Sequence, residues 1–460
     1  LKLPIGTQDH GTMPKALRAG HRRIIESTGL PFAFIKAPAQ GRCAAISRYR
    51  RYAMSRSPTR IAVAIALALG LSACQPEAGN TESAAGTQAA AEAADSNAAG
   101  THGGERIASE TGPLELSVFA GGLQHPWGAA FLPDGRLLVT ERVGSLRIVA
   151  TDGTLSAPIS GVPAVVAEGQ GGLLDVALSP DFANDQLIYL SYAEPGEGAL
   201  AGTAVARARL DGESLVDVDV IFRQSPKLET RHHFGSRLVF DDAGYLFITM
   251  GDRGVRPTAQ DLSSHMGTVA RVFPDGRVPE DNPFVGQDGV QPETWSYGHR
   301  NQQGAALNPW TRALWTHEHG PKGGDEINIP QAGLNYGWPV ITHGINYSGE
   351  PIPEAVGTEQ DGMEQPHHFW PVSPGISGMA FYDDARVPGW QRNLFIGAMA
   401  QRLLIRLQLD ENDNIVHEER LLTDLAQRIR DVEVGPDGAL YLLTDDPEGK
   451  VLRLAAIPQP

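Results

Sequence analysis

Side chains able to take a proton, grip an anion or ligate a metal gather in a few short stretches of this chain. His232 and His233 stand together ahead of Phe234-Gly235-Ser236-Arg237. An imidazole titrates near neutral pH, so the pair can supply a general base; the plainer alternative is a histidine pair that caps the turn before a strand at residues 238–240. Arg300 with Asn301, and Arg428 with Arg430, offer guanidinium forks and an amide suited to carboxylates. Taken singly, such arginines are by default solvated charges at strand ends. His317-Glu318-His319 puts two imidazoles on one face of a strand, where they could meet a zinc ion. No third ligand at a diagnostic spacing accompanies them, and catalytic zinc needs three protein ligands. Tyr297, Trp310, Trp315, Tyr336 and Trp338 could stack on a sugar, but aromatic residues in strands usually fill core.

Charge narrows the partners. Residues 1–73 hold 12 Lys and Arg against 2 acids, which leaves 26 basic and 52 acidic residues downstream, a net of −26. A field of that sign repels nucleic acid and anionic membrane, so neither is expected to bind. Any anionic cofactor would need a local cluster of arginines. The two cysteines are Cys43 and Cys74, so stability downstream must come from packing, and from metal if one is bound.

The elements that position these residues are strands. A turn of the Pro-Asp-Gly kind followed by alternating apolar residues recurs six times, at Pro133, Pro180, Asp241, Pro309, Asp383 and Pro436. The mean spacing is about 61 residues, slightly above the length of a four-stranded antiparallel blade. Strong helix patterns are absent. The sequence therefore predicts an all-β fold, a six-bladed β-propeller with four-stranded antiparallel blades, over residues 113–460. Long insertions are expected at residues 251–300 and 340–375, on the face that carries function. Residues 114–119 are free to supply the closing strand of the last blade and remove a sheet edge.

Propellers host many activities, so the loops must decide the function. Seven motifs occur in order: Glu168-Gly169-Gln170-Gly171-Gly172-Leu173-Leu174, His232-His233-Phe234-Gly235-Ser236-Arg237, Gly251-Asp252-Arg253-Gly254, Gly298-His299-Arg300-Asn301, His319-Gly320-Pro321 with Gly324-Asp325-Glu326-Ile327-Asn328, Asn335-Tyr336-Gly337-Trp338-Pro339, and Arg428-Ile429-Arg430-Asp431. Together they resemble the soluble quinoprotein glucose and aldose sugar dehydrogenases, from about residue 123 to 454. The resemblance implies pyrroloquinoline quinone (PQQ) and Ca2+ as cofactors, an aldose sugar as substrate, and oxidation of the anomeric hydroxyl to a lactone. Hydride would pass to the quinone, and electrons to an external acceptor. It also implies roles for particular residues. His233 matches the catalytic base; Arg300 and Asn301 match the pair facing the quinone oxygens; Arg428 and Arg430 match arginines on its carboxylates; Gln170 matches a glutamine beside substrate and cofactor. The backbone carbonyls of Gly320 and Pro321 match calcium ligands, while Glu326 and the main chain of Tyr336 match a second, structural calcium site.

Three positions depart from the glucose dehydrogenase branch. His232 stands in place of an aspartate, so polarisation of His233 must be arranged differently. His319 replaces a glutamine at the cofactor, ahead of the calcium carbonyls. Ala400 falls where that branch has a cofactor-contacting lysine, with Gln401 or Arg402 able to compensate if the register slips. These differences point to the broader aldose-oxidising branch. Two rivals remain at this level: a calcium-dependent lactonase, with its metal on carboxylates at the propeller axis, and a non-enzymatic ligand-binding propeller.

Upstream, Arg56 and Arg60 precede an apolar run at residues 61–71, too short to span a membrane, that ends in Leu71-Ser72-Ala73-Cys74. This looks like a bacterial lipobox. It implies a signal peptide at 54–73 and a periplasmic enzyme attached to the outer membrane only through a lipidated Cys74, as monomer or homodimer. Residues 1–53 read as an upstream extension that does not fold. Residues 74–112, poor in large apolar side chains, read as a flexible linker.

Overall fold

The repeated turn is one hydrogen-bonded device used several times. At the first copy Gly135, with φ of 87°, donates to Leu132 O at 2.9 Å while Leu132 N–H donates to Arg136 O at 2.7 Å. Asp241 with Gly244, and Gly435 with Gly438, repeat the same closure, with glycine φ values of 81° and 79°. Only glycine takes that backbone conformation without cost, so each copy sets the register of the strand after it.

The computed structural model describes residues 104–457. Residues 1–53, the predicted signal peptide at 54–73, Cys74 and the linker as far as residue 103 lie outside the described residues. Six antiparallel sheets stand around an axis. Their innermost strands, Pro126–Phe131, Leu173–Leu178, Leu238–Phe240, Gln302–Leu307, Ile376–Tyr382 and Ile429–Val434, neighbour one another in that order, and the last meets the first. Numbered in the same order, blades 2 to 5 have four strands each. In blade 1 three strands are regular, and residues 154–160 lie along the outer one through a Val149–Leu155 bridge. Blade 6 is closed by Leu114–Leu123, which pairs antiparallel with Gly449–Ala456, in keeping with the expectation for residues 114–119. The six-bladed propeller is thus the observed fold.

Residues 104–112, expected from composition to be linker, form a strand and a docked turn. Glu105–Ile107 adds a fifth strand outside Leu114–Leu123, and the turn after it docks on blade 5: Glu110 meets Arg406 and His417, and Trp390 Nε1–H donates to Thr111 Oγ1 at 2.8 Å. Backbone pairing and ion pairs hold this polar stretch, so residues 104–112 belong to the folded propeller.

The core is a set of apolar sandwiches between adjacent blades. Leu138, Leu146, Leu173, Leu190 and Tyr192 pack blade 1 on blade 2, and Trp315, Trp370, Leu394 and Ile405 pack blade 4 on blade 5. The predicted insertions are partly strand, since Thr268–Val272 and Thr294–Tyr297 complete blade 3. The long irregular loop is at 329–367, before the outer strand His368–Trp370 of blade 4.

At the axis the blades are tied by charge. Arg237, at the entry to blade 3, reaches Asp175 of blade 2 at 3.1 Å and Asp431 of blade 6 at 2.8 Å. Its Nε donates to Gln303 O of blade 4 at 2.8 Å, and Asp431 Oδ2 accepts from Ala129 N–H of blade 1 at 3.1 Å. Five blades meet in this one knot.

Candidate active site

The strand ends on one face open into a cavity of about 460 Å³. Gln170, Asn301, His319, Gly320, Pro321, Arg428 and Arg430, all singled out from sequence, line it together. His233 sits at its edge: its backbone N–H donates to Gln170 Oε1 at 2.7 Å. Arg300 lies behind His319, donating from Nη1 to the His319 carbonyl at 3.0 Å.

The imidazole of His233 is 15% exposed, and its Nδ1–H donates at 2.6 Å to Oδ1 of Asp252, which is fully buried. That bond fixes the tautomer, leaving Nε2 free to accept a proton. Burial holds His233 below the usual imidazole range, reinforced by the nearby positive charge of Arg300 and opposed by Asp252. The ring is therefore neutral, and so competent as a base, at pH 7. Burial alone would raise Asp252, but the hydrogen bond and charge of His233, Arg300 and the Gly254 N–H together hold it below the usual carboxylate range. Trp338 Nε1–H donates to the other Asp252 oxygen at 2.8 Å, and the Arg300 guanidinium lies 5.4 Å from the Trp338 ring centre.

Asp252 resolves the question raised by His232. With no aspartate before the base, and with the exposed His232 ring 6.3 Å from that of His233, orientation comes from a carboxylate in a different loop. Asp252 belongs to one of the seven motifs, yet nothing in the sequence marks it for this role. Trp338 supports Asp252 rather than a sugar. Trp315 is fully buried, Trp310 packs on Phe381, and Tyr336 stacks on His299 at 4.8 Å, so these three are structural. Trp127 and Phe234 line the cavity as buried aromatic residues, and Tyr347, 73% exposed and marked by no pattern, lines it from the solvent side.

The arginines differ in how they are satisfied. Arg428 donates Nε and Nη2 to Asp445 Oδ2 at 3.0 and 2.8 Å. Burial would raise Asp445, but Arg430 and Arg428 bring it down to about 2. Arg430 is buried with its Nη1 on Gln303 Oε1 at 3.0 Å and, among the described residues, its Nε has no partner. Burial pulls its pKa down to about 10. Among the described residues no carboxylate lies within ion-pair distance of Arg430 or Arg300. Guanidinium groups buried beside a cavity in so acidic a protein fit a polyanionic guest. Ala400 lines the cavity, but Gln401 is engaged with Arg420 and Arg402 points to solvent, so neither replaces the missing lysine. Arg142 joins the lining instead, with Nη1 on Gly169 O at 2.5 Å.

Two places suit a hard cation. Gly320 N–H donates to Asp325 Oδ1 at 3.0 Å, and Asp325 Oδ2 accepts from Gly375 N–H at 2.8 Å. Among the described residues the carbonyls of Gly320 and Pro321 accept no hydrogen bond, which fits calcium at the cavity wall. Away from the cavity, Asn328 Nδ2 donates to Glu326 at 3.0 Å and to Glu318 at 3.1 Å, and among the described residues its Oδ1 has no partner. Burial, and then the Glu318 carboxylate, push Glu326 up to about 8. His299, stacked on Tyr336, donates from Nδ1 to the same Glu318 at 2.8 Å, so Glu326 and Tyr336 share one neighbourhood. The tempting His317-Glu318-His319 triplet divides: Glu318 is spent on His299, Asn328 and the Arg300 N–H, while His319 Nε2–H donates to Ile376 O.

Similarity to known proteins agrees with this geometry. The Glucose / Sorbosone dehydrogenase family matches residues 123–453. The aldose sugar dehydrogenase YliI of Escherichia coli (strain K12) is 53% identical over 345 residues, covering 74% of this chain and 93% of that protein. A solved glucose dehydrogenase is 58% identical with a TM-score of 0.73, over 75% of this chain and 99% of its own. The PQQ-bound aldose sugar dehydrogenase of Streptomyces coelicolor is 28% identical with a TM-score of 0.62, over 74% and 98%. The chain belongs to the glucose/sorbosone dehydrogenase family of oxidoreductases.

Proposed function

We propose that this protein oxidises aldose sugars at the anomeric hydroxyl to lactones, using PQQ and calcium and passing electrons to an external acceptor. The observation that carries the reading is a neutral imidazole, oriented by a buried carboxylate, beside a cavity lined by Arg142, Arg428 and a buried Arg430 that has no carboxylate partner among the described residues. When bound, PQQ supplies a two-electron acceptor for the hydride of the anomeric carbon. Arg428 and Arg430 would hold its carboxylates; Arg300 and Asn301 would face its oxygens, with Gln170 and His319 at its edge. The Gly320 and Pro321 carbonyls would carry the calcium ion. His233 Nε2 takes the proton from the sugar hydroxyl, and Asp252 stabilises the imidazolium that results. The fixed guanidinium groups favour negative charge developing at the far end of the reaction axis.

The axis disfavours the lactonase reading: Asp175 and Asp431 are engaged by Arg237, and among the described residues no group of three or more acidic or histidine side chains is placed to hold a metal there. A non-enzymatic binding propeller would have no use for the His233–Asp252 pair. Purified protein given PQQ and calcium is expected to reduce an artificial dye when aldoses are added, with matching changes in the quinone absorbance. Bound quinone without dye reduction would reject sugar oxidation, and lactone hydrolysis without quinone would restore the rival.

The second calcium has its own test. Calcium should raise the melting temperature of the wild-type protein, and Glu326→Gln should abolish most of that rise while leaving quinone binding intact. An equal rise in both proteins would remove Glu326 from the site. We place the enzyme in the periplasm, held at the outer membrane by a lipidated Cys74; this rests on residues 54–74 alone.

A further inference from the structure

We infer that Arg253 is a positioning residue for the proton-abstracting imidazole: its buried guanidinium pins the turn at residues 230–234 so that His233 keeps its strained backbone and its grip on Asp252. The inference rests on the reading of His233 as the base.

Arg253 is 0% exposed, and among the described residues it has no carboxylate partner. Its donors go to oxygens of the polypeptide. Nε donates to His232 O at 2.9 Å and Nη2 to Thr230 O at 2.6 Å, while Nη1 donates to Ala201 O at 2.9 Å and to Gln224 Oε1 at 3.3 Å. The guanidinium carbon lies 3.8 Å from the centre of the Phe234 ring. Two of the carbonyls and the ring therefore belong to the five residues that carry His233. Burying a cation without a counter-ion is costly, and an apolar side chain would fill the same volume without that penalty. What a guanidinium adds is a planar fork that fixes several backbone carbonyls at once.

The turn needs such a restraint. His233 has φ of 52°, a left-handed conformation that a non-glycine residue keeps only when its surroundings over-determine it. It lies flush on Gly251, where a Cβ would come within 2.3 Å of His233 O and 2.9 Å of His233 Cβ. Adjacent residues of one loop thus hold the base from two sides, Asp252 by its ring and Arg253 by its backbone. The charged or titratable groups facing the imidazole are Asp252, Arg300 and His232.

The test uses full-length protein labelled at histidine carbons. In quinone-free, calcium-free wild type the His233 ring should titrate below the ordinary imidazole value. In Arg253→Met the turn relaxes toward solvent, and the midpoint should rise toward about 6.5. Arg253→Lys, whose single ammonium cannot span the carbonyls, should give an intermediate midpoint. In the loaded enzyme Arg253→Met should lower kcat by on the order of a hundredfold with KM little changed, and the acid limb of its pH profile should move upward in step with the titration. A variant that melts earlier but keeps the wild-type titration and acid limb would overturn the inference. If Arg253→Met does not fold, a wild-type midpoint in Arg253→Lys overturns it equally. Wild-type protein that binds quinone yet oxidises no aldose would instead remove the base assignment, and the titration would then decide on its own whether Arg253 positions the ring.

Discussion

Replacing His233 with alanine should slow aldose oxidation by on the order of a hundredfold or more while quinone binding survives, the usual scale for losing a general base. Binding survives because Arg428 and Arg430, the groups proposed to grip the quinone carboxylates, stand on blade 6, across the cavity from the His233 turn. The pH dependence gives the sign. His233 lies below the usual imidazole range, so kcat/KM in the wild type should hold through mildly acid pH and fall only once the ring protonates. In His233→Ala that acid limb should vanish along with the rate. Stopped-flow reduction of bound quinone at sub-saturating and at saturating aldose, followed across pH, measures both. An unchanged rate would strip His233 of its role, and a lost quinone signal would mean that the side chain holds cofactor instead.

The fold is legible because its signals are local. The Pro133-Asp134-Gly135 turn and its copies at Asp241 and Pro436 close through bonds within five residues, and period-two strands follow directly. The cavity lining is legible through motif blocks, since Gln170, Asn301, Gly320, Arg428 and Arg430 all come from them and line one cavity. Blocks do not sort neighbours by task. Arg237 and Asp431 lie in the same blocks as His233 and Arg430, yet they tie the blades at the axis. Asp252 escapes because its meaning depends on an approach to His233 across 19 residues of chain, and a buried carboxylate looks no different in sequence from a loop acid. Residues 104–112 mislead for the opposite reason. Their polarity suggests a tether, but backbone pairing with Leu114–Leu116 and the ion pairs of Glu110 need no apolar side chains.

The axial knot carries the largest stability effect. Arg237→Met should destabilise the propeller by about 3–5 kcal/mol at neutral pH, because it leaves buried carboxylates without their cation. Asp175 is pushed up to about 6 by burial, against the pull of Arg237, and Asp431 is raised by the same cause. A carboxyl whose folded pKa exceeds its unfolded value contributes most to stability below about pH 4, and that contribution is lost as pH rises through about 6. Without Arg237 both carboxyls shift further up, so the penalty should be smaller near pH ~4.5, where Asp175 is protonated, than at pH ~8. Glu433, half-buried beside them and raised well above the usual range, extends the trend in the same direction. Denaturant unfolding of both proteins at these pH values measures the difference, and a gap independent of pH would show that packing rather than charge is lost. Arg237 also bears on the site: it stacks 4.3 Å from the Trp127 ring centre and holds the Gln303 carbonyl, and both residues line the cavity. Loss of the knot should therefore weaken quinone binding even at pH values where the variant stays folded.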